Sequence, residues 1–204
     1  MTPVAFVDID TQVDFIEPHG KLYAAGAEAI KGRLGRLVEH ALASGAPLVS
    51  SLDTHAEGDP EFERFPPHCL KGTKGHEKIA ETRSGRERFI TMNDVTFPDP
   101  RSHHVVLEKD DFPVFAHPLA SEVFAATGAQ RFYVFGVVTE VCVKAAALGL
   151  LARGYQVTLV EDAVWPISAE GGAAALAEMF EAGAQSITTA ELLEARSVAA
   201  GRGC

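Results

Sequence analysis

The sequence predicts an α/β protein: a three-layer α/β/α sandwich of Rossmann-like type, built on a mainly parallel six-stranded sheet with right-handed crossovers. Two observations carry this. Short runs rich in β-branched or aromatic residues recur along the chain, and each is separated from the next by a helical stretch or a loop, the pattern of parallel strands joined by crossovers. The chain has 204 residues, enough for one domain with a substantial core. No linker or repeat divides it, so residues 1–204 are expected to form a single domain.

The first strand is expected over residues 4–9, a run of Val, Ala, Phe, Val, Asp and Ile that leads into Asp10. Residues 26–44 carry Ile30, Leu34, Leu37, Val38 and Ala41 at helical spacing and stop at Gly45, which reads as a crossover helix with a glycine terminator. A second strand over 47–52 opens onto Asp53-Thr54-His55. The stretch from Asp53 to about Arg88 is dense in His, Pro, Gly and charge and lacks periodicity; a segment of that length inside a compact domain is usually functional. Residues 89–92 suggest a short extra strand, and 103–108 form the third main one, running into Lys109. A helix is expected over 117–127 and a fourth strand over 131–137. That strand breaks at Gly136 and delivers a lone cysteine, Cys142, into the first turn of a helix over 139–153. Small residues Ala145, Ala146, Ala147 and Gly149 let this helix lie close to the sheet. A fifth strand over 155–160, a helix over 169–182, a sixth strand over 185–188 and a final helix over 189–199 complete the alternation.

Hydrophobic residues make up 47% and charged residues 23% of the chain, a globular rather than a disordered composition. The formal net charge is −10 with histidines neutral, and such a surface works against non-specific binding to nucleic acid or anionic membranes. No apolar run approaches a membrane span, and Met1-Thr2-Pro3-Val4 lacks the basic start of a signal peptide. The expectation is a cytoplasmic protein that acts on a small molecule and engages neither nucleic acid nor membrane; a homo-oligomer is compatible with the sequence. Cys69, Cys142 and Cys204 are few and odd in number, which argues against a disulfide framework and fits a reducing compartment. Cys204 closes a Gly-Arg-Gly-Cys tail and reads as a disordered terminal residue.

Ligands of open α/β sheets sit beyond the carboxyl ends of the strands, so Asp10, Asp53, His55, Lys109 and Cys142 are expected to converge. Asp10, Lys109 and Cys142 form a workable nucleophile set. The carboxylate can accept the thiol proton and pass it to a leaving group, the lysine favours both anions, and a helix start favours a thiolate. A structural Asp–Lys pair beside a small buried cysteine is the plainer alternative.

Asp53 and His55 point the same way on an extended segment, so both can hold one ion while the loop returns His68 as a third ligand, with Glu61 as a fourth contributor, direct or through water. The Asp-x-His pair alone is a weak signal. Mixed oxygen and nitrogen donors suit zinc, iron or manganese and do not select among them; one divalent transition metal is expected, with zinc taken first. Phe15 and Phe65 are candidate aromatic walls for a flat substrate, although phenylalanine is more often core. His19, His76, His103, His104 and His117 read as surface or loop residues, and Cys69 as packed rather than catalytic.

With these residues assembled, the chain resembles the isochorismatase-like cysteine hydrolases, and among them most closely the nicotinamidases. Asp10-Thr11-Gln12-Val13-Asp14-Phe15 is similar to the family's Asp-x-Gln-x-Asp-Phe element, Lys109 falls at the family's lysine, and residues 136–143 are similar to its nucleophile segment. The resemblance implies catalytic roles for Asp10, Lys109 and Cys142, a cis bond at Val137–Val138, and an oxyanion hole from the amides of Val138 and Cys142. Asp53-Thr54-His55 and the segment 65–75 are similar to the nicotinamidase metal loop, which isochorismatases proper lack. That similarity implies metal ligation by Asp53, His55 and His68, with Glu61 joining them, and a pyridine ring flanked by Phe15 and Phe65. The implied reaction is hydrolysis of nicotinamide to nicotinate and ammonia through a Cys142 thioester. Another small amide or ureide is the alternative, and a non-catalytic binding relative a more distant one. Two departures bear on the substrate: His19 stands where many relatives have glycine, and residues 109–115 replace the Tyr-Ser-Ala-Phe type of segment.

Overall fold

The computed structural model describes residues 2–200, and Cys204 lies outside them. Among these residues the strands are β1 (Val4–Ile9), β2 (Leu48–Asp53), β3 (Glu87–Ile90), β4 (His104–Lys109), β5 (Arg131–Val137), β6 (Gln156–Trp165) and β7 (Gln185–Ile187). The helices are α1 (Val13–Ile16), α2 (Lys31–Ser44), α3 (Ala120–Ala126), α4 (Lys144–Leu151), α5 (Ala169–Glu181) and α6 (Thr189–Ala200). The sheet runs in the order β3-β4-β2-β1-β5-β6-β7 with every neighbouring pair parallel. It has seven strands rather than six because the short extra run, found at Glu87–Ile90 instead of 89–92, pairs with β4 as an edge strand.

Successive side chains of a strand point to opposite faces, and the two apolar cores follow that alternation. Phe6, Leu48, Phe135 and Val137 meet Leu34, Leu37, Val38 and Ala41 of α2 and Leu192 of α6 on one face. Val7, Ile9, Leu107 and Val134 meet Val123 and Phe124 of α3, Ala146 and Leu150 of α4, and Met179 of α5 on the other. This is the three-layer arrangement the sequence predicts. No helix among the described residues is long and apolar enough to cross a membrane.

Element boundaries moved for local reasons. The stretch from Ala27 starts as a 3-10 turn (Ala27–Ile30) behind Gly26 at φ 89 and becomes α2 only at Lys31, ending on the expected Gly45 at φ 67. Helix α3 begins at Ala120 instead of residue 117, since His117 precedes Pro118 and takes the extended ψ of 125 that a following proline favours. The helix after β5 opens with a π-helical turn (Thr139–Val143) before α4. Strand β6 runs on to Trp165 through a register shift against β5, which brings Trp165 opposite Val137.

Candidate active site

The register of the central strands brings the carboxyl ends of β1, β2, β4 and β5 close to one level. Ile9 lies opposite both Ser51 and Gly136, and Asp53 lies opposite Lys109. The strand order reverses between β1 and β5, which opens a crevice at their carboxyl ends. Asp10 leaves β1 in the left-handed region at φ 47. Gly136 sits at φ 119, and a Cβ there would stand 2.1 Å from the Ile9 carbonyl oxygen, so β5 approaches β1 closely only because this residue has no side chain. The Val137–Val138 bond is cis, as the resemblance implies, and the Val138 carbonyl accepts the N–H groups of Val141 and Val143. Val138 and Cys142 line the same pocket.

Lys109 is the hub. Its Nζ lies 2.9 Å from Asp10 Oδ2, 2.9 Å from Asp53 Oδ1 and 3.8 Å from Cys142 Sγ, all within a floor of buried side chains. Burial works against its charge, but Asp10, Asp53 and Cys142 outweigh that and hold its pKa well above the usual lysine value. Burial pushes the Asp10 carboxyl up, Lys109 pulls it back, Asp53 pushes again, and the net direction is upward. A hydrogen bond from Ser51 Oγ to Asp10 Oδ1 at 2.6 Å fixes that carboxylate, a contact with no sequence signal because it spans two strands.

Burial drives the Cys142 thiol well above its ordinary pKa; Lys109 offsets part of this, while Asp10 and Asp53 add to it. The pull of the helix start toward a thiolate is thus opposed by burial. The raised pKa favours the protonated thiol, so ionisation is helped by a proton acceptor close by, and Asp10, which shares Lys109 with the thiol, is placed for that.

On the other side of Lys109, Asp53, His55, Glu61 and His68 place one donor atom each within 4.8 Å of one another. Asp53 Oδ2 lies 2.9 Å from His55 Nε2 and 3.2 Å from His68 Nε2, and Glu61 Oε1 is 3.8 Å from His68 Nε2. The outward ring nitrogens are engaged elsewhere: His55 Nδ1 with Asp59 Oδ2 at 3.0 Å and His68 Nδ1 with the Pro66 carbonyl at 2.9 Å. Both Nε2 atoms thus face inward, the orientation that supporting hydrogen bonds impose on metal-binding histidines. Asp59 also accepts the Glu61 N–H at 2.9 Å and so places Glu61, a role the sequence reading missed. Burial raises Asp53, but Lys109 and the hydrogen bonds of His55 and His68 bring it well below the usual carboxylate range. Burial likewise opposes a charged His55, yet Asp53 outweighs it and raises its pKa to about 9. The group favours positive charge at its centre, which a divalent cation fits as a proton does.

Two residues of the first motif build the frame. Gln12, fully buried, donates from Nε2 to the carbonyls of Asp53 at 2.8 Å and His76 at 3.0 Å and accepts the Asp53 N–H at 2.8 Å, tying the end of β2 to the start of α1. Asp14 accepts the N–H of Cys69 at 2.7 Å and of Lys21 at 2.9 Å, and a Cβ on Gly75 would strike its carboxylate. Cys69, held at φ 46, gives its carbonyl to the His55 N–H and is packed rather than catalytic.

The pocket above Cys142 is small, about 60 Å³, and mostly apolar. Phe15 and Phe65 both line it, with ring centroids 5.6 and 6.4 Å from that of His68. Phe112, edge-on to Phe65 at 6.2 Å, and Ile167 complete the wall; neither has a pattern in sequence that marks it. His19 is exposed and His76 and His117 lie in loops, as expected, but both of these are buried, and His104 is a buried residue of β4 rather than of a loop. Each finds partners in distant segments: Thr54 for His76, Ser50 and Ser84 for His104, and the Ile90 and Thr91 carbonyls for His117.

Residues 4–191 match the isochorismatase domain family. The chain is 27% identical over 183 residues to an isochorismatase family protein of Bacillus subtilis (strain 168) named PncA, covering 84% of this chain and 91% of that one. Among solved structures, a pyrazinamidase/nicotinamidase from Streptococcus mutans superposes with a TM-score of 0.77 at 26% identity, over 90% of this chain and 99% of that one. A pyrazinamidase of Pyrococcus horikoshii in complex with zinc gives a TM-score of 0.75 at 27% identity, over 91% and 98%.

Proposed function

Because the chain belongs to the isochorismatase family, we propose that it is a cysteine amidohydrolase with a metal site, converting nicotinamide to nicotinate and ammonia through a Cys142 thioester. The observation that supports this best is the double engagement of Lys109, whose ammonium touches the base of the nucleophile set on one side and the carboxylate of the metal group on the other. The nucleophile and the substrate anchor therefore share one rigid floor.

Asp10 takes the Cys142 proton as Sγ attacks the carboxamide carbon, since a raised carboxylate pKa suits it to accept a proton from a thiol that does not ionise unaided. Lys109 holds a fixed positive charge beside the developing thiolate. The amides of Val138 and Cys142 hold the oxyanion, and donors of this kind typically contribute about 10²–10³ in rate. Collapse breaks the C–N bond, Asp10 returns its proton to the leaving nitrogen, and ammonia departs. Asp10 then deprotonates a water that attacks the thioester, and the Cys142 thiol re-forms as nicotinate leaves.

Asp53, His55, His68 and Glu61 would hold one divalent transition metal, with zinc the first candidate in view of the zinc-bound relative. When bound, such an ion supplies a Lewis-acid anchor for a heteroaromatic nitrogen. Phe15 and Phe65 flank the ring and exclude water, and the small pocket admits a single ring. Ammonia release from metal-reconstituted protein over a panel of pyridine carboxamides, aliphatic amides and ureides tests the proposal. Nicotinamide is expected to be turned over fastest; metal-loaded protein inert to nicotinamide but active on a ureide would replace it with the second reading.

A further inference from the structure

A second cavity, of about 630 Å³, lies beside the metal loop and shares His68 with the catalytic pocket. Val13, Pro66, Pro67 and Leu70 give it an apolar wall, and the exposed residues His19, Lys21 and Lys74 line it as well. Its one lining carboxylate, Asp14, has both oxygens committed to the N–H groups of Lys21 and Cys69. Lys21 has no ion-pair partner among the described residues, and Lys74 shares Glu77 with Arg83, one carboxylate between two cations. In a chain of net charge −10 this cavity therefore carries surplus positive charge over an apolar wall. The groove of about 550 Å³ at the β3 edge differs in this respect, because its lining cations Lys71, Lys78 and Arg83 stand among three lining carboxylates, Glu77, Glu87 and Glu108.

We propose that the cavity beside the metal loop binds a small organic carboxylate with an apolar body. The carboxylate is drawn to Lys21 and Lys74, and the body rests on Pro66, Pro67 and Leu70. A bare inorganic anion would leave that wall unused, and a neutral ring would leave the lysines unanswered. The Pro66 carbonyl orients His68 through its Nδ1, so an occupant seated on Pro66 bears on a side chain of the metal group. On the reading proposed above, the enzyme's own product is a carboxylate of this class, and the cavity is a feedback site.

Benzoate is the probe, titrated calorimetrically into metal-loaded protein whose Cys142 has been capped with iodoacetamide, so that the catalytic pocket is filled. Saturable binding is expected, weakened by about tenfold in Lys21→Glu and again in Lys74→Glu. Benzyl alcohol and inorganic phosphate should each bind far more weakly than benzoate. In the uncapped enzyme, benzoate should inhibit amide hydrolysis with a non-competitive component that Lys21→Glu removes while kcat and KM without benzoate stay unchanged. The proposal is overturned by absence of saturable binding to the capped protein, by binding that both charge reversals leave intact, or by phosphate binding as tight as that of benzoate. Because the titration needs no turnover, its outcome is separate from the identity of the amide substrate.

Discussion

Replacing Gln12 with leucine removes three hydrogen bonds at a position with no solvent exposure and leaves the Asp53 N–H, the Asp53 carbonyl and the His76 carbonyl without their partner. The two side chains are close in size, so packing changes little and the loss is one of polar satisfaction. Each stranded buried group costs about 1–3 kcal/mol, so Gln12→Leu should destabilise the protein by roughly 3–6 kcal/mol if neighbouring groups relax in part. Against the 5–15 kcal/mol that typically holds a domain together, the variant should still fold in the cold, with a Tm lower by roughly 10–20 °C. The same substitution frees the backbone that carries Asp53, so metal affinity should fall with stability. Gln12→Glu should be at least as damaging, since it keeps an acceptor for the Asp53 N–H but turns a carboxylate toward two carbonyl oxygens. Urea unfolding followed by circular dichroism, with metal content measured on the same samples, gives both quantities. A Gln12→Leu protein within about 1 kcal/mol of the parent and fully metal-loaded would refute the clamp.

Cys142→Ala and Cys142→Ser should abolish turnover without altering the unfolding curve, because a hydroxyl is far less ionised than a thiol and Asp10 is a weak base for it; residual activity in pure protein would exclude the thioester. Asp10→Asn should suppress both turnover and Cys142 alkylation, and normal alkylation in that variant would show that another group takes the proton. Lys109→Met tests the sign of the electrostatics: the ammonium lowers the pKa of both Asp10 and Cys142, so its loss should move the acid limb of kcat/KM and the alkylation profile to higher pH. An unchanged profile in either assay would count against Lys109 as the hub. His68→Ala should sharply lower the metal content of the purified protein and slow nicotinamide hydrolysis much more than alkylation of Cys142, as the ion is assigned to hold the ring rather than to ionise the thiol. Equal losses in both assays would contradict that division.

Much of the site was legible in the chain because it lies at strand ends, and strand ends are local events. Periodicity located the runs before Asp10, Asp53 and Lys109, the break at Gly136 located Cys142, and the parallel arrangement then implied that these residues meet; Asp53, His55, Glu61 and His68 did come together. Of the missed residues, Ser51, Phe112 and Ile167 owe their roles to partners on other elements, whereas Asp59 acts on its near neighbours His55 and Glu61 from a capping position before Pro60 that the sequence does mark. The burial of His76 and His117 has no local signal, since a histidine in a loop looks solvated until a distant segment covers it, and that of His104 follows from its place at the start of β4 between Ser50 and Ser84. Most telling is Cys142: a helix start, which sequence shows, favours a thiolate, whereas burial beside Asp10 and Asp53 opposes it more strongly. Sequence located the strand runs along the chain and, at their ends, the candidate nucleophile and donor residues, because these follow from local pattern. Tertiary structure alone decided the burial that opposes the Cys142 thiolate, the clamp by Gln12 and the cavity beside the metal loop, because charge and solvation energies depend on every group that packs nearby, however far away it lies in the chain.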